Sequence, residues 1–197
     1  VGIPVIATAI PRAGVTASCF ASHDIIAVHR AALDLLLEGG SKRPALIRNV
    51  GVEHVFREVA VYTAWCSEHG IEPLALNLDE YWDADDAIAC VAEAINEGAD
   101  GFLIRNGDTQ VVLAGIAEAG KSVPADVQVL AEAEGTIEAL TAPPVTTISL
   151  LGSESGRLVA QEVLTQMREP KSVNTSNPRS LRLPHELTVR QSTRRKQ

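Results

Sequence analysis

The chain has 197 residues, 46% hydrophobic and 21% charged, with a formal net charge of −8. That balance suits a soluble globular protein with a full core, argues against a surface that grips a phosphate backbone, and contains no apolar run near the ~20 residues of a membrane-spanning helix. The opening VGIPVIATAI carries no basic segment ahead of its apolar stretch, so it does not read as a secretory signal.

The chain begins on a strand-like segment without an initiator Met, which points to a fragment of a longer protein. From Ser22 to Leu130 one unit is then written four times: a helical pattern, a glycine, a short loop and a short aliphatic run. HDIIAVHRAALDLLLEG leads through Gly40 to PALI, and EHVFREVAVYTAWCSEH through Gly70 to PLALNL. DADDAIACVAEAINE leads through Gly98 to GFLI, and DTQVVLAGIAEA through Gly120 to VQVL. Glycine just past a helix supplies its left-handed C′ residue, and uniformly apolar runs of four to six residues suit strands buried on both faces. The fold class is therefore α/β, a parallel Rossmann-like sheet flanked by helices.

Ser22, Asp83 and Asp108 are expected helix N-caps, with Asp85 and Asp86 favouring a positive helix end. Together with Asp79 and Glu80 these acids could instead hold a divalent metal, but capping explains them without one. The TQVVLAGIAEAG helix has almost no polar face. Val111, Val112, Gly115 and Ile116 then mark either a central core helix or a subunit interface.

In APPVTTISLLGSESG, Pro143 and Pro144 stop the preceding element, and Val145 to Ile148 favour a strand that carries the chain into another sheet. A helix follows, capped at Ser153, then the polar loop KSVNTSNPRS and a final strand pair in LRLPHELTVRQS. The one basic cluster, Arg190, Arg194, Arg195 and Lys196, is expected as a solvated, frayed end. Cys19, Cys66 and Cys90 are odd in number and lack C-x-x-C spacing, so neither a disulfide framework nor a zinc site is indicated, and a reducing cytoplasm fits.

The order VPADVQVL, APPVTTI, a helix with Gly156 near its start, and LPHELTVRQST resembles the core of lactose-repressor (LacI/GalR) type bacterial transcription regulators. Upstream, GIPVIATAI is similar to their "IPVV" strand, LLLEGGSKRPALI to "LLELGHRRIAFI", and GFLIRNGD to "AIFAANDL". The resemblance runs over essentially the whole chain. It implies a periplasmic-binding-protein-like fold of two α/β subdomains joined by three crossings, with a small effector in the cleft between them and no cofactor. Residues 1–21 would be a remnant of the N-terminal subdomain, 22–145 the C-terminal subdomain, 146–170 an N-terminal-subdomain segment of hinge strand and helix, and 171–197 the return to the C-terminal subdomain and tail. The DNA-binding headpiece and much of the N-terminal subdomain would lie outside this chain.

By the same resemblance Trp82 matches an aromatic that lies against the ligand, Asn106 the Asn of an "AND" motif, and Asp24 the Asp of a "DN" signature, with His23 beside it. Two positions depart: the family's ligand-clamping Arg falls on Glu58, with Arg57 one residue off, and "GFDD" reads AEAE, placing Ala133 at the first ligand-binding Asp and leaving Glu134 as the candidate contact. Read as plain residues, Trp82 also serves as packing at a sheet edge, Asn106 as a turn residue, and Arg57 and Glu58 as exposed helix charges. His23 and His29 do not share a helix face at ligand spacing, so they do not form a metal site.

Three functions compete. The first is the effector-sensing, homodimeric core of a regulator, reaching operator DNA through a domain outside this chain. The second is a sugar-binding protein of an ABC transporter, which shares the fold; the PHELTVRQST ending favours the regulator. The third, an enzyme, lacks a signature: GSESG places Glu154 where a G-x-S-x-G motif needs Ser, and neither a phosphate loop nor H-E-x-x-H is present.

Overall fold

The computed structural model describes residues 3–8, 14–48, 55–78, 83–105, 109–169 and 173–194, the side chains of 55–57 excepted. The chain divides into two compact units, a smaller one of residues 1–24 and 150–186 and a larger one of residues 25–149 and 187–197. It passes from one to the other three times.

The larger unit is a six-stranded sheet in the order β4-β3-β5-β6-β7-β9, built from β3 (Pro44–Arg48), β4 (Ala75–Asn77), β5 (Gly101–Arg105), β6 (Gln128–Glu132), β7 (Thr146–Ser149) and β9 (Glu186–Thr188). The pairs β3–β4, β3–β5, β5–β6 and β6–β7 are all parallel. Helices α1 (Ile25–Glu38), α2 (Val55–His69), α3 (Ala84–Asn96) and α4 (Thr109–Glu118) alternate with them. These are the four helix–glycine–strand units of the sequence.

Strand periodicity divides the side chains between two helical layers. Leu46, Leu103, Leu130 and Ile148 pack with Val28, Ala32, Leu33 and Leu36 of α1 and with Tyr62, Trp65 and Cys66 of α2. The alternate residues Ala45, Ile47, Phe102, Ile104, Val129 and Ala131 pack with Val91 and Ile95 of α3 and Val112 and Ile116 of α4. The strands are apolar throughout because both faces are covered. Tyr62 pins the first layer: its hydroxyl donates to the Pro44 carbonyl at 2.8 Å and accepts from the Leu74 N–H at 2.9 Å. Burial pushes its phenol well above the usual tyrosine range, so it remains a donor.

The smaller unit is a parallel sheet in the order β1-β2-β8, from β1 (Ile6–Ala7), β2 (Cys19–Ser22) and β8 (Arg179–Arg182), with α5 (Gly152–Arg168) packed on β1. Glu162 of α5 accepts from Arg179 of β8 at 3.1 Å.

Several expectations are corrected. The strand after the prolines, β7, belongs to the larger sheet beside β6, and the chain leaves that unit only at Leu150, so 146–149 are not a segment of the other subdomain. Pro144 fits beside a neighbouring segment because a proline carbonyl still accepts; it receives the N–H groups of Gln191 and Ser192, each at 3.1 Å. Residues 171–186 stay in the smaller unit, and β8 and β9 lie in different sheets rather than pairing. Ser22 ends β2 instead of capping α1, and Ser153 lies inside the first turn of α5, which follows Leu151 at φ +50°. Asp83 does cap α3, accepting from the Asp85 N–H at 3.0 Å; Asp79, Glu80 and Asp108 lie outside the described residues.

The basic end is not frayed as far as residue 194. Ser192 donates to the Val129 carbonyl at 2.5 Å and accepts from the Thr146 N–H at 2.7 Å, and Thr193 pairs with Thr146 at 2.8 Å. Arg190 donates to the Val145 carbonyl at 2.8 Å and to Thr147 at 2.7 Å. The buried Gln128 side chain donates to the Leu36 carbonyl at 3.0 Å and accepts from the Arg194 N–H at 2.8 Å. Gly39 is required because a Cβ there would overlap Gln128. Arg195 and Lys196 lie outside the described residues.

Val112, Gly115 and Ile116, expected in part as an interface, are buried within the protomer's own core. A Cβ on Gly115 would stand 2.6 Å from Val91 Cβ and 2.7 Å from the Ile88 carbonyl, so its bare backbone is the seat on which α3 crosses α4. Gly115→Ala is therefore expected to lower stability by about 1–3 kcal/mol through overpacking. Gly156→Ala, on an exposed helix position with open space, should raise it by about 0.5–1 kcal/mol. Urea unfolding midpoints of the two variants check both signs.

Burial pushes the thiols of Cys19 and Cys66 up, so less thiolate is present at a given pH. Both are fully enclosed and Cys90 is half-buried. Iodoacetamide on the native protein at mildly alkaline pH should modify Cys90 first, with Cys19 and Cys66 labelled after denaturation; peptide mass mapping reads the order.

Candidate functional site

In an open parallel sheet the chain leaves neighbouring strands toward opposite faces at one point, and ligands bind beside it at the strands' carboxyl ends. Here β3 is followed by α2 in one layer and β5 by α4 in the other, which puts the switch between the ends of β3 and β5.

The sheet ends in charge there. Arg48, Arg105 and Glu132 are the last residues of β3, β5 and β6, and each is in phase with a core leucine, Leu46, Leu103 or Leu130. Their side chains therefore project into the α1/α2 layer. Strand register sets Arg105 directly beside Glu132, and opposite charges in adjacent strands on one face attract.

Two helices complete the group. Arg105 Nη2 lies 2.9 Å from Glu58 Oε1 and 3.2 Å from Glu132 Oε1, while Arg105 Nη1 donates to His29 Nε2. Glu58 stands in the first turn of α2, where the helix dipole favours a carboxylate, and His29 on the buried stripe of α1. All four side chains are shielded: His29 is 2% exposed, Arg105 5% and Glu58 7%, and the Glu132 side chain 9%.

His29 Nε2 also lies 3.7 Å from Glu132 Oε2. Nε2 thus faces both the Arg105 guanidinium and the Glu132 carboxylate. Two buried atoms of the cluster have no hydrogen-bond partner, Arg105 Nε and Glu132 Oε2.

Of the residues singled out in the sequence, His23 and Asp24 follow β2 in the smaller unit, where Asp24 pairs with Arg182. Glu134, in the larger unit, is exposed and accepts from the Ser149 hydroxyl at 3.1 Å. Trp82 and Asn106 lie outside the described residues, as does the side chain of Arg57. Glu58, expected as an exposed helix charge, is instead a buried member of the cluster. His29 was weighed only as a metal ligand beside His23, and Arg105 and Glu132 were not singled out. Their signal is phase: a charge two residues past a buried leucine in an all-apolar strand is carried inside and needs partners there.

Removing one partner of a buried ion group leaves the others uncompensated. Arg105→Met should therefore cost about 3–5 kcal/mol, and combining it with Glu58→Leu and Glu132→Leu should recover most of that loss. Urea denaturation of the single and triple variants tests the pair of expectations.

The sequence description of the periplasmic binding protein-like domain matches residues 33–193. No curated protein sequence matches the chain. Among solved structures, a LacI family transcriptional regulator from Enterococcus faecium with bound ribose is 20% identical, with a TM-score of 0.73 over 96% of this chain and 69% of that one. A LacI family regulator from Arthrobacter sp. FB24 is 22% identical, with a TM-score of 0.75 over 96% and 70%; its complex with lactose is 21% identical, with a TM-score of 0.73 over 96% and 71%. The transcription regulator CcpA of Lactococcus lactis is 20% identical, with a TM-score of 0.68 over 89% and 64%. At these identities the likeness carries the fold, and the fold is that of the LacI-type regulator core. With its match spanning most of its length, the chain belongs to the family of periplasmic-binding-protein-like domains.

Proposed function

We propose that this chain is the effector-sensing and dimerising core of a LacI-type transcription regulator, working in the cytoplasm and without enzymatic activity. The observation that carries this reading is the buried polar group at the carboxyl ends of β5 and β6, met by α1 and α2, in a chain of this family. Relatives of the same fold hold ribose and lactose, and the effector here is a sugar or other small metabolite. An effector that prefers one conformation changes operator affinity by its differential binding free energy. Operator DNA is contacted through a domain outside this chain. The relatives named above are regulators, which supports this reading over a transporter's solute-binding protein.

Trp82, Asn106, Arg57 and Glu134 of the larger unit and His23 and Asp24 of the smaller remain the proposed effector contacts. The test is a fusion of this chain to a helix-turn-helix headpiece, assayed on that headpiece's operator in cells. Repression that changes with an added small molecule is expected, and repression indifferent to every metabolite supplied would count against sensing.

The homodimer is proposed to use Val111, half-buried on α4, together with Ile137 and Leu140, which are 67% and 84% exposed. Large apolar side chains left in water near one another are a contact surface in waiting. The two segments follow adjacent strands, β5 and β6. Leu140→Glu should shift a dimer to monomer in sedimentation equilibrium at micromolar concentration without changing the far-UV spectrum; a wild-type chain that sediments as a monomer throughout sinks the dimer.

A further inference from the structure

Between β6 and β7 the chain makes a loop that holds itself together. The Ala139 N–H donates to the Gly135 carbonyl at 3.1 Å, the Leu140 N–H to the Ile137 carbonyl at 2.9 Å and the Val145 N–H to the Glu138 carbonyl at 2.8 Å. The Thr141 hydroxyl lies 2.8 Å from the Glu138 carbonyl and 2.7 Å from that of Pro143. A loop closed on its own groups with its ends together is compact, so its placement is decided at its feet. It carries Ile137 and Leu140, the exposed apolar residues of the proposed subunit contact.

One side chain reaches both feet. Arg190 Nη1 donates to the Val145 carbonyl at 2.8 Å and Nη2 to the Gly135 carbonyl at 3.4 Å, while the Thr147 hydroxyl, 2.7 Å from Nη1, holds the guanidinium between them. Arg190 is itself anchored by its backbone, whose N–H donates to Thr146 Oγ1 at 2.9 Å. The first foot is shaped for this side chain. Gly135 is buried at φ +88°, and a Cβ there would stand 3.1 Å from Arg190 Nη2 and 3.2 Å from Thr147 Oγ1. A planar fork with two nitrogens spans two carbonyls, whereas the single nitrogen of a lysine serves one side.

We infer that Arg190 is a positioning residue for the subunit contact: it clasps the feet of the 135–145 loop and so fixes Ile137 and Leu140 in the arrangement that a second copy of this chain meets. This rests on the homodimer reading and adds the residue that prepares its surface, since a contact loop already held in its bound shape loses less freedom on association.

The test is sedimentation equilibrium of the full chain, run as a double-mutant cycle. Arg190→Lys keeps a donor for β7 but loses the reach to Gly135, and Gly135→Ala crowds the same contact from the loop's side. Each is expected to weaken the dimer about tenfold, and the two together also about tenfold, because both remove one contact. The urea midpoint of the dilute, dissociated Arg190→Lys chain should stay near that of the wild type, and Arg157→Lys, exposed on the smaller unit, should leave the dimer unchanged. Should Arg190→Lys or Gly135→Ala fail to fold by circular dichroism, Arg190→Gln or Thr147→Val takes its place in the cycle with the same expectation. An Arg190→Lys chain that dimerises as the wild type does overturns the clasp and leaves the homodimer standing. Losses that multiply to about a hundredfold overturn the shared contact. A weaker dimer matched by an equal loss of stability in the dissociated chain overturns the positioning role. A wild-type chain that sediments as a monomer at every concentration removes the homodimer reading, and the clasp with it.

Discussion

A parallel sheet covered on both faces by helices gives its strand residues no side that faces water, and the larger unit is shaped by that constraint. Along β5 and β6 every residue is enclosed or nearly so, so the polar residues within and at the ends of these strands need partners inside. Gln128 meets the requirement at one end of β6, joining the Leu36 carbonyl to the Arg194 N–H. Glu132 meets it at the other end, together with Arg105, Glu58 and His29. The two ends differ in outcome: the first is fully hydrogen-bonded and cements the architecture, whereas the second keeps an unused acceptor and donor. Unsatisfied groups of this kind cost stability and are kept where chemistry uses them.

Much of the fold was legible because it follows from period and punctuation. Each of the four helix–glycine–strand units reads locally, and an all-apolar run of five residues such as GFLIR or QVLAE has few uses outside a covered sheet. Long-range assignment was harder. The prolines before β7 looked like the edge of a subdomain because proline lacks a donor, yet pairing there draws on the Pro144 carbonyl, which sequence reasoning discounts. RQST looked like a solvated tail because it is polar, yet its hydroxyls are spent on the Val129 carbonyl and the Thr146 amide within the sheet. Buried polarity of this sort is invisible until its partners are known, and those lie more than 40 positions away in the chain.

The candidate site was less legible for the same reason. Arg105, Glu132, Glu58 and His29 come from two strands and two helices, and no spacing in the sequence brings them together. Phase along each strand says that a side chain is carried inward; it does not say which helix residue meets it. Family resemblance directed attention to motif positions such as Glu134, which lies exposed beyond the end of β6, while Glu132, two residues earlier and the last of the strand, turned inward. Alternation of faces holds only along the strand, and β6 ends at Glu132, so it carries Glu132 inward and does not govern Glu134. The same rule explains how relatives near 20% identity keep one fold: the pattern of inward positions is what the layers require, and the groups at the strand ends are free to differ in charge.

The segment from Arg190 to Arg194 has a consequence in time. The amide of Thr146, the carbonyl of Val129 and the side chain of Gln128 are satisfied by residues synthesised some 45 to 65 positions later. On the ribosome the four helix–strand units can collapse in order as they emerge, but the sheet they form stays open along β6 and β7 until this segment arrives. The larger unit is thus a structure whose early parts wait for its latest one, with the whole smaller-unit excursion from Leu150 to Glu186 emerging in between. Closure of the core is a late, long-range event, and a nascent chain arrested before residue 190 holds a correctly paired but unfinished sheet.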